Sequence, residues 1–200
     1  MARIAVLGAG AWGTAIAGTL SSRLEVALWA RDRAQAEQIS SSRKNDRYLP
    51  GIALPAAVQV TSKLEQAVSK TRLVLAATPV AGLRELLKSL PAAQPLVWLC
   101  KGFEEGSGSL PHQIAQQTLG EGARCGALSG PSFAQEVARG LPCALTLASR
   151  DAAFAREAAG LLHGGRLGHR DRLRALEPAR GRAVGPRPRP GRADFRVAQE

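Results

Sequence analysis

The sequence predicts an α/β protein built on a doubly wound parallel sheet. Along the first 162 residues, short apolar runs alternate with stretches of helical periodicity, which is the pattern of a parallel sheet covered by helices. The chain has 200 residues, 45% of them hydrophobic, enough for one domain of good size. A charged fraction of 22% and a mean hydropathy of −0.08 exclude a chain that is disordered throughout and a membrane protein.

Seven strands are predicted from apolar runs bounded by turn residues. They cover residues 2–7, 25–30, 58–60, 73–77, 95–100, 124–128 and 143–148. The run at 73–77 predicts a central strand. The polar, turn-rich segment 40–55 predicts a loop, as does 101–109.

Helices are predicted between the strands, several with a defined start. They run from the glycine-rich segment to about Ser22, from Asp32, from Ser62, from Thr78, over 110–119, from about Ser132 and from Asp151. Capping boxes are predicted at Asp32–Gln35 and Ser62–Glu65. Thr78 is predicted to cap a helix with Pro79 at its first position, where the missing N–H costs nothing.

The α/β pattern ends near His163. Residues 163–200 hold 10 Arg, no Lys and four acidic residues, whereas residues 1–162 hold 17 Lys and Arg against 12 Asp and Glu. More than half of the net charge of +11 therefore lies in the last fifth of the chain, so overall basicity does not indicate a nucleic-acid partner. We predict a domain over 1–162 and a disordered tail over 163–200.

Cysteine and histidine spacing argues against a metal or disulfide framework. Three cysteines, an odd number, show no CxxC spacing, which favours a reducing compartment. The three histidines lack metal-ligand spacing, so no metal is expected.

The uncharged run 4–20 behind Arg3 is similar to a signal peptide. Its glycines and threonines weaken an apolar core, and no charge-free span reaches about 20 apolar residues. We therefore expect a cytoplasmic protein that does not enter a membrane.

Gly8, Gly10 and Gly13 form a GxGxxG motif between a predicted strand and a predicted helix. This context is what the dinucleotide-binding fingerprint of a Rossmann-like sheet requires. Gly8 would allow a tight turn, Gly10 would let the backbone approach a pyrophosphate, and Gly13 would let helix and strand pack closely. The N–H groups of the helix N-terminus would then face the phosphates. The alternative is a strand–turn–helix that uses glycines only for compactness.

The end of the second strand bears on the choice between NAD and NADP. NAD-selective sites place Asp or Glu there to hold the ribose 2′-hydroxyl. Here Arg31 occupies that end, and Asp32 is better explained as a helix cap. A guanidinium can pair with a 2′-phosphate in a bidentate manner. The alternative is that Arg31 and Arg33 form only a solvated turn.

Lys101, Gly130 and Ser132 are candidates for binding an anion or a developing negative charge. Lys101 follows a predicted strand, at the edge where open α/β sheets bind ligands, and its ammonium would stabilise the oxygen of a ketone that accepts hydride. Gly130 would clear space before a helix N-terminus. The alternatives are a surface lysine and a capping box of Ser132 with Gln135, which spacing alone slightly favours. No Ser/His/Asp triad is suggested.

Five segments, in order, resemble the bacterial NAD(P)-dependent glycerol-3-phosphate dehydrogenase family. They are GAGAWGTAIA at 8–17, LWARD at 28–32, NDRYLPGIALP at 45–55, CKGFE at 100–104 and SGPSFAQEVARGLP at 129–142. The resemblance implies a cytoplasmic enzyme that interconverts sn-glycerol 3-phosphate and dihydroxyacetone phosphate with NADP or NAD, for phospholipid synthesis. It implies no nucleic-acid or membrane partner, and a homodimer is open for the full-length family.

The resemblance also implies site residues by matching position. Cofactor contacts fall on Ala11, Trp12, Arg31, Tyr48, Lys101 and Ala134, beside the motif glycines Gly8, Gly10 and Gly13. Substrate contacts fall on Lys101, Gly130 and Ser132, with Lys101 in a catalytic role. The resemblance thus favours ligand roles for Lys101 and Ser132, and it leaves Arg33 open.

The sequence departs from the family after about Leu162. The family continues into a helical domain that begins with a glycine-rich stretch containing a catalytic lysine followed by Asn, whereas this sequence has no Lys after Lys101. We expect that domain to be absent, cofactor binding to be retained and activity to be low. The Arg, Pro, Gly and Ala of 163–200 indicate a GC-rich gene translated out of frame. A natural basic tail is the alternative, although it lacks aromatic residues apart from Phe195.

Two other functions stay open. One is a related dehydrogenase acting on a 2-hydroxy acid or ketopantoate, which the segment SGPSFAQEV at 129–137 disfavours. The other is a non-catalytic nucleotide-sensing or nucleic-acid-binding module with a basic arm, whose binding to a polyanion would depend on salt and on residues 163–200.

Overall fold

The computed structural model describes residues 1–91 and 94–164, and the predicted tail lies outside them apart from residues 163 and 164. The described residues form one sheet with helices on both faces, which confirms the predicted α/β class and Rossmann-like architecture. The seven strands are β1 (Arg3–Leu7), β2 (Glu25–Trp29), β3 (Val58–Thr61), β4 (Leu73–Ala76), β5 (Leu96–Trp98), β6 (Cys125–Ser129) and β7 (Thr146–Ser149).

The strand order is β3-β2-β1-β4-β5-β6-β7. The chain builds outward from β1 to β3, returns beside β1 as β4, and then continues outward in the other direction. The topological switch point therefore lies between the carboxyl ends of β1 and β4. In open α/β sheets, ligands bind in the crevice at this point.

Seven α-helices cover the sheet in the described part of the chain. They are α1 (Ala11–Leu20), α2 (Arg33–Ser42), α3 (Leu64–Val68), α4 (Leu83–Lys88), α5 (Pro111–Leu119), α6 (Ala134–Ala138) and α7 (Ala152–Leu162). Because successive strand residues face opposite sides, Ile4 and Val6 pack in one apolar core while Ala5 and Leu7 pack in the other. Both faces of the sheet are therefore buried, as the apolar strands predict.

Strand β7 runs antiparallel to β6, so the prediction of a wholly parallel sheet is wrong at this edge. The connection between the two strands contains only the five-residue helix α6. The connection does not return the chain to the amino end of β6, and β7 starts opposite the carboxyl end of β6, with Thr146 paired to Ser129.

Two of the predicted helix caps are wrong. Helix α3 begins after Lys63, and no side chain caps it, so Ser62 has no capping role. After β4 the chain forms a 3₁₀ turn (Val80–Gly82) before α4, and Thr78 caps neither. The Thr78 hydroxyl is instead buried without a hydrogen-bond partner within residues 1–91 and 94–164.

The predicted cap at Asp32 is confirmed, although its capping box is only half formed because the Gln35 side chain donates to Ala9 instead. Asp151, predicted only as the start of a helix, also caps its helix. The Asp32 carboxylate accepts a hydrogen bond from the Gln35 backbone N–H at 3.1 Å, and Asp151 accepts from two N–H groups at the start of α7. The predicted loop 40–55 is only partly correct, because α2 extends to Ser42 and a bridge joins Lys44 to Ala53.

Two kinds of feature are absent from the described residues. No helix there is long and apolar enough to cross a membrane. No group of three or more His, Cys, Asp or Glu within the same residues could hold a metal ion.

Candidate active site

The glycine-rich turn joins β1 to α1, and two of its glycines are required by the protein's own backbone. Gly8 has a φ of +119°, and a Cβ there would lie 2.9 Å from the carbonyl of Ala77, which follows β4. At Gly13 a Cβ would lie 1.9 Å from the Gly8 carbonyl oxygen. Only glycine lets α1 start this close to β1 and β4, so the predicted packing role of both residues agrees with the geometry.

Gly10 differs from the other two glycines. Its φ of −80° and ψ of −172° are extended values that any residue adopts. A Cβ at Gly10 would meet nothing within 4 Å. Neither backbone conformation nor packing within the described residues requires glycine here, so the open space above Gly10 is available to a ligand.

A cleft of ≈ 280 Å³ opens at the carboxyl ends of β5 and β6. It is lined by Trp12, Leu99, Lys101, Leu128, Ser129, Gly130 and Leu145. Three predicted site residues, Trp12, Lys101 and Gly130, thus come together from three separate connections. The Lys101 side chain is exposed and forms no ion pair within the part of the chain that the structure describes.

Gly130 lines the cleft and is also required by packing, a role that the sequence did not predict. A Cβ there would lie 2.3 Å from the Ala144 carbonyl oxygen and 2.9 Å from the Leu145 side chain. The chain just before β7 therefore fills the space beside Gly130.

The capping box of Ser132 with Gln135 is wrong. Helix α6 begins at Ala134 with Phe133 as its N-cap, and the Phe133 N–H donates to the Glu136 carboxylate at 3.2 Å. The Ser132 hydroxyl and the Gln135 side-chain oxygen are buried without partners within residues 1–91 and 94–164. Ser132 is not among the residues that line the cleft, and its hydroxyl is inaccessible, so its ligand role stays a prediction.

Arg31 and Tyr48 lie on the other side of the switch point. Arg31 follows β2, is exposed and forms no hydrogen bond or ion pair within the described residues. Arg33 is already engaged, since its guanidinium binds the Glu37 carboxylate at 2.7 Å on the surface of α2. The Tyr48 ring is 43% exposed, with the Arg47 guanidinium 5.2 Å from its centroid.

Ala11 and Ala134 begin two helices that pack together. Helix α1 starts at Ala11 and α6 at Ala134, and the Thr19 hydroxyl of α1 donates to the Val137 carbonyl of α6 at 3.2 Å. Ala134 and Trp12 both pack against the first apolar core while remaining partly accessible.

Comparison with known proteins identifies the family. The family described as NAD-dependent glycerol-3-phosphate dehydrogenase N-terminus matches residues 3–155. The chain belongs to this family. It is 51% identical over 168 residues to glycerol-3-phosphate dehydrogenase (NAD(P)+) of Dechloromonas aromatica, covering 82% of this chain and 51% of the relative. The enzyme of Aromatoleum aromaticum is 49% identical with the same coverage, so this chain spans about half the length of these curated relatives.

A solved structure agrees with this result. The crystal structure of glycerol-3-phosphate dehydrogenase from Coxiella burnetii is 32% identical, with a TM-score of 0.76 over 82% of this chain and 52% of that one. UDP-D-ManNAc dehydrogenase from Pyrococcus horikoshii, 15% identical with a TM-score of 0.62, shares the fold alone. The predicted family, fold and cofactor class, NADP or NAD, are confirmed.

In this glycerol-3-phosphate dehydrogenase domain, an ion pair that sequence analysis missed anchors the segment carrying Lys101. The Arg84 guanidinium of α4 donates twice to the Glu104 carboxylate, at 2.8 and 2.7 Å, and the Ser107 hydroxyl donates to the same carboxylate at 2.6 Å. Arg84 also donates to Gln117 of α5 at 2.8 Å. These bonds join α4 and α5 to Glu104 in the segment 101–109. Glu104 is three residues from Lys101 in sequence.

The Arg84–Glu104 pair gives a pH-dependent stability. The hydrogen bonds from Arg84, and then from Ser107, lower the pKa of Glu104 to about 2. A depressed pKa in the folded state stabilises the fold above the ordinary glutamate value of about 4.3, and this contribution is lost as the pH falls toward 2. We therefore expect Glu104→Gln to lower the unfolding midpoint at pH 7 and the difference from wild type to shrink below pH 4.

Chemical denaturation from pH 7 to pH 2.5 measures this effect. The control is Glu85→Gln, which removes an exposed i,i+3 pair with Lys88 and should change stability little. A constant difference between Glu104→Gln and wild type across the range would contradict the assignment.

Cys100, next to Lys101, is not a nucleophile. Burial raises the pKa of its thiol to about 11, so it is protonated at neutral pH. Cys100 and Cys125 carry free thiols within the described residues.

Proposed function

We propose that this chain is the dinucleotide-binding half of an enzyme that interconverts sn-glycerol 3-phosphate and dihydroxyacetone phosphate with NADPH or NADH. The observation that carries the proposal is Gly10, a glycine of the fingerprint whose missing side chain serves neither conformation nor packing within the described residues. The relatives' names supply glycerol 3-phosphate and NAD(P)+, and the family resemblance supplies dihydroxyacetone phosphate as the second member of the substrate pair.

The proposed orientation of the cofactor follows from the strand order. The turn at Gly10 and the first N–H groups of α1 would hold the pyrophosphate. Arg31 and Tyr48 would bind the adenosine, and Trp12 and Lys101 would bind the nicotinamide. The ends of β2 and β5 are three strand spacings apart, about 14 Å, so the two groups of predicted contacts suit the two ends of one extended ligand.

Lys101 and Ser132 have the proposed chemical roles on the substrate side. When bound, the reduced nicotinamide supplies a hydride to the carbonyl carbon of dihydroxyacetone phosphate. The Lys101 ammonium stabilises the negative charge that develops on the carbonyl oxygen. The buried Ser132 hydroxyl donates to the substrate, and the Gly130 backbone forms the adjacent wall of the cleft.

The test is direct titration of the chain with NADPH and NADH. Trp12 lines the cleft, so a bound dinucleotide should quench tryptophan fluorescence in a saturable manner. ADP-ribose, which lacks the nicotinamide, should compete. The absence of saturable binding by either dinucleotide, in a chain shown to be folded by circular dichroism, would contradict the proposal.

Arg31 is proposed to bind the 2′-phosphate of NADPH. Replacing it with Ala should weaken NADPH more than NADH by about 1–3 kcal/mol, because one charge-assisted contact is lost. The matched control is Arg33→Ala in the same turn, whose guanidinium is engaged by Glu37 and which should affect both cofactors little. Equal losses for NADPH and NADH on Arg31→Ala would mean that Arg31 is a solvated turn residue.

The physiological setting is also a proposal. The family resemblance supports a cytoplasmic enzyme that supplies phospholipid synthesis, with a small phosphorylated substrate and neither nucleic acid nor membrane as a partner. The relatives' names favour glycerol 3-phosphate over a 2-hydroxy acid or ketopantoate.

A further inference from the structure

Two side-chain amides converge on one carbonyl of the glycine-rich turn. The Asn45 amide donates to the Ala9 carbonyl oxygen at 2.9 Å, and the Gln35 amide donates to the same oxygen at 2.8 Å. Asn45 also donates to the Thr14 hydroxyl of α1 at 2.7 Å. Asn45 and Gln35 are 36 and 26 residues from Ala9 in sequence, so these bonds tie α2 and the segment after it to the turn.

The position of Asn45 is unusual for an amide side chain. Asn45 is 1% exposed, and Thr14 is the other polar residue buried to this degree in the described chain. A polar side chain is buried at low cost only when it is hydrogen-bonded. The Asn45 Nδ2 donates to the turn and to the first turn of α1, while the Asn45 Oδ1 is buried without a partner within the described residues.

Because the peptide bond is planar, the two hydrogen bonds to the Ala9 carbonyl also orient the N–H group of the next residue, Gly10. The Ala9–Gly10 peptide is planar and trans, so the Gly10 N–H points in the direction opposite to the Ala9 carbonyl. Two donors hold that carbonyl toward the protein interior. The Gly10 N–H, which has no acceptor within the described residues, is thereby held toward the ligand side.

We propose that Asn45 and Gln35 are positioning residues that orient the Gly10 N–H toward the pyrophosphate of the cofactor. This inference rests on the proposed binding of a dinucleotide. Neither residue touches the ligand, and each acts through the Ala9 carbonyl. Asn45 has a second effect, because its backbone carbonyl accepts from the Tyr48 and Leu49 N–H groups at 3.1 and 2.7 Å and so fixes the turn that carries Tyr48.

The test compares two probes that differ in the pyrophosphate. ADP-ribose carries it, and adenosine 2′-phosphate has no phosphate on the 5′ side of the ribose. Asn45→Ala should weaken ADP-ribose about tenfold, the effect of one lost hydrogen bond, and adenosine 2′-phosphate less than twofold. Gln35→Ala should show the same selectivity with a smaller loss, because Asn45 still holds the carbonyl.

The control is Gln38→Ala on the same face of α2, whose amide donates only to Ser42 and Lys44 and which should leave both affinities unchanged. Gln35→Ala keeps the inference testable if Asn45→Ala fails to fold, since Gln35 is only partly buried. Equal losses for the two probes, or no loss for ADP-ribose, would overturn the inference. If wild type binds neither probe nor a dinucleotide, the proposed function itself fails.

Discussion

Gly10→Val should abolish dinucleotide binding while leaving the fold intact. The branched side chain would occupy the open space above the turn, where close approach of the pyrophosphate to the backbone requires glycine. We expect NADPH and NADH to bind at least about 30-fold more weakly, equivalent to about 2 kcal/mol or more. The extended backbone at Gly10 accepts a side chain, so the free energy of unfolding should stay within about 1 kcal/mol of wild type.

Gly13→Ala is the matched control three residues away. Its Cβ would lie 1.9 Å from the Gly8 carbonyl oxygen, so α1 must move away from β1. We expect the stability to fall by about 3 kcal/mol or more, with binding lost as a consequence of unfolding. The measurements are thermal unfolding and fluorescence titration of both variants. Unchanged affinity in a folded Gly10→Val protein would remove the fingerprint assignment.

The contrast between these glycines shows what could be predicted from sequence. The positions of Gly8, Gly10 and Gly13 followed from the motif, because the turn geometry is local and repeats in every such fold. The strands were also predictable from local sequence, because an apolar run such as 73–77 directly indicates a buried strand. Sequence spacing could not separate Gly10, which suits a ligand, from Gly13, which suits packing; only the neighbouring atoms distinguish them.

Helix starts were less predictable because several polar residues compete for each one. Asp32 caps its helix as predicted, whereas Ser62, Thr78 and Ser132 do not, although all four are residue types that favour caps. At Ser132 the helix starts two residues later, where Glu136 satisfies the Phe133 N–H. The resemblance to the family, rather than spacing, favoured a ligand role for Ser132.

Most of the candidate-site contacts that sequence analysis missed join residues that are far apart in the sequence. Asn45 reaches Ala9 across 36 residues, and Arg84 reaches Glu104 across 20. A signal for Asn45 existed, since it opens the segment NDRYLPGIALP that carries Tyr48, but nothing local indicates its partner. The antiparallel β7 was missed because an apolar run predicts a buried strand but not the direction in which it runs.

The second large effect is on turnover. A polypeptide of these 200 residues, tested alone, should bind a dinucleotide and yet reduce dihydroxyacetone phosphate at least about a thousandfold more slowly than the full-length relative from Dechloromonas aromatica. Holding the reacting atoms at near-attack distance supplies roughly 7–11 kcal/mol of a barrier, and losing half of that alone gives such a deficit. The relative is about twice as long as the segment it shares with this chain.

The described residues contribute one wall of the site. Lys101 and Gly130 line an open cleft, and Phe103 and Phe133, each close in sequence to one of them, are 67% and 74% exposed. We expect the half of the relative that this chain does not match to cover these aromatic side chains. Without that cover, water reaches the cleft. The solvent then weakens the electrostatic interaction between the Lys101 ammonium and a negative charge on the substrate.

NADPH oxidation with dihydroxyacetone phosphate measures the deficit. Three proteins are compared at equal dinucleotide saturation: this chain, the full-length relative and the half of the relative that matches this chain. The two half-length proteins should be similarly slow. Adding the remaining half of the relative to this chain as a separate polypeptide should restore part of the turnover. Lys101→Ala in this chain should abolish the restored turnover. Turnover by this chain alone at the rate of the full-length relative would contradict the argument, since it would mean that the 200 residues complete the site themselves.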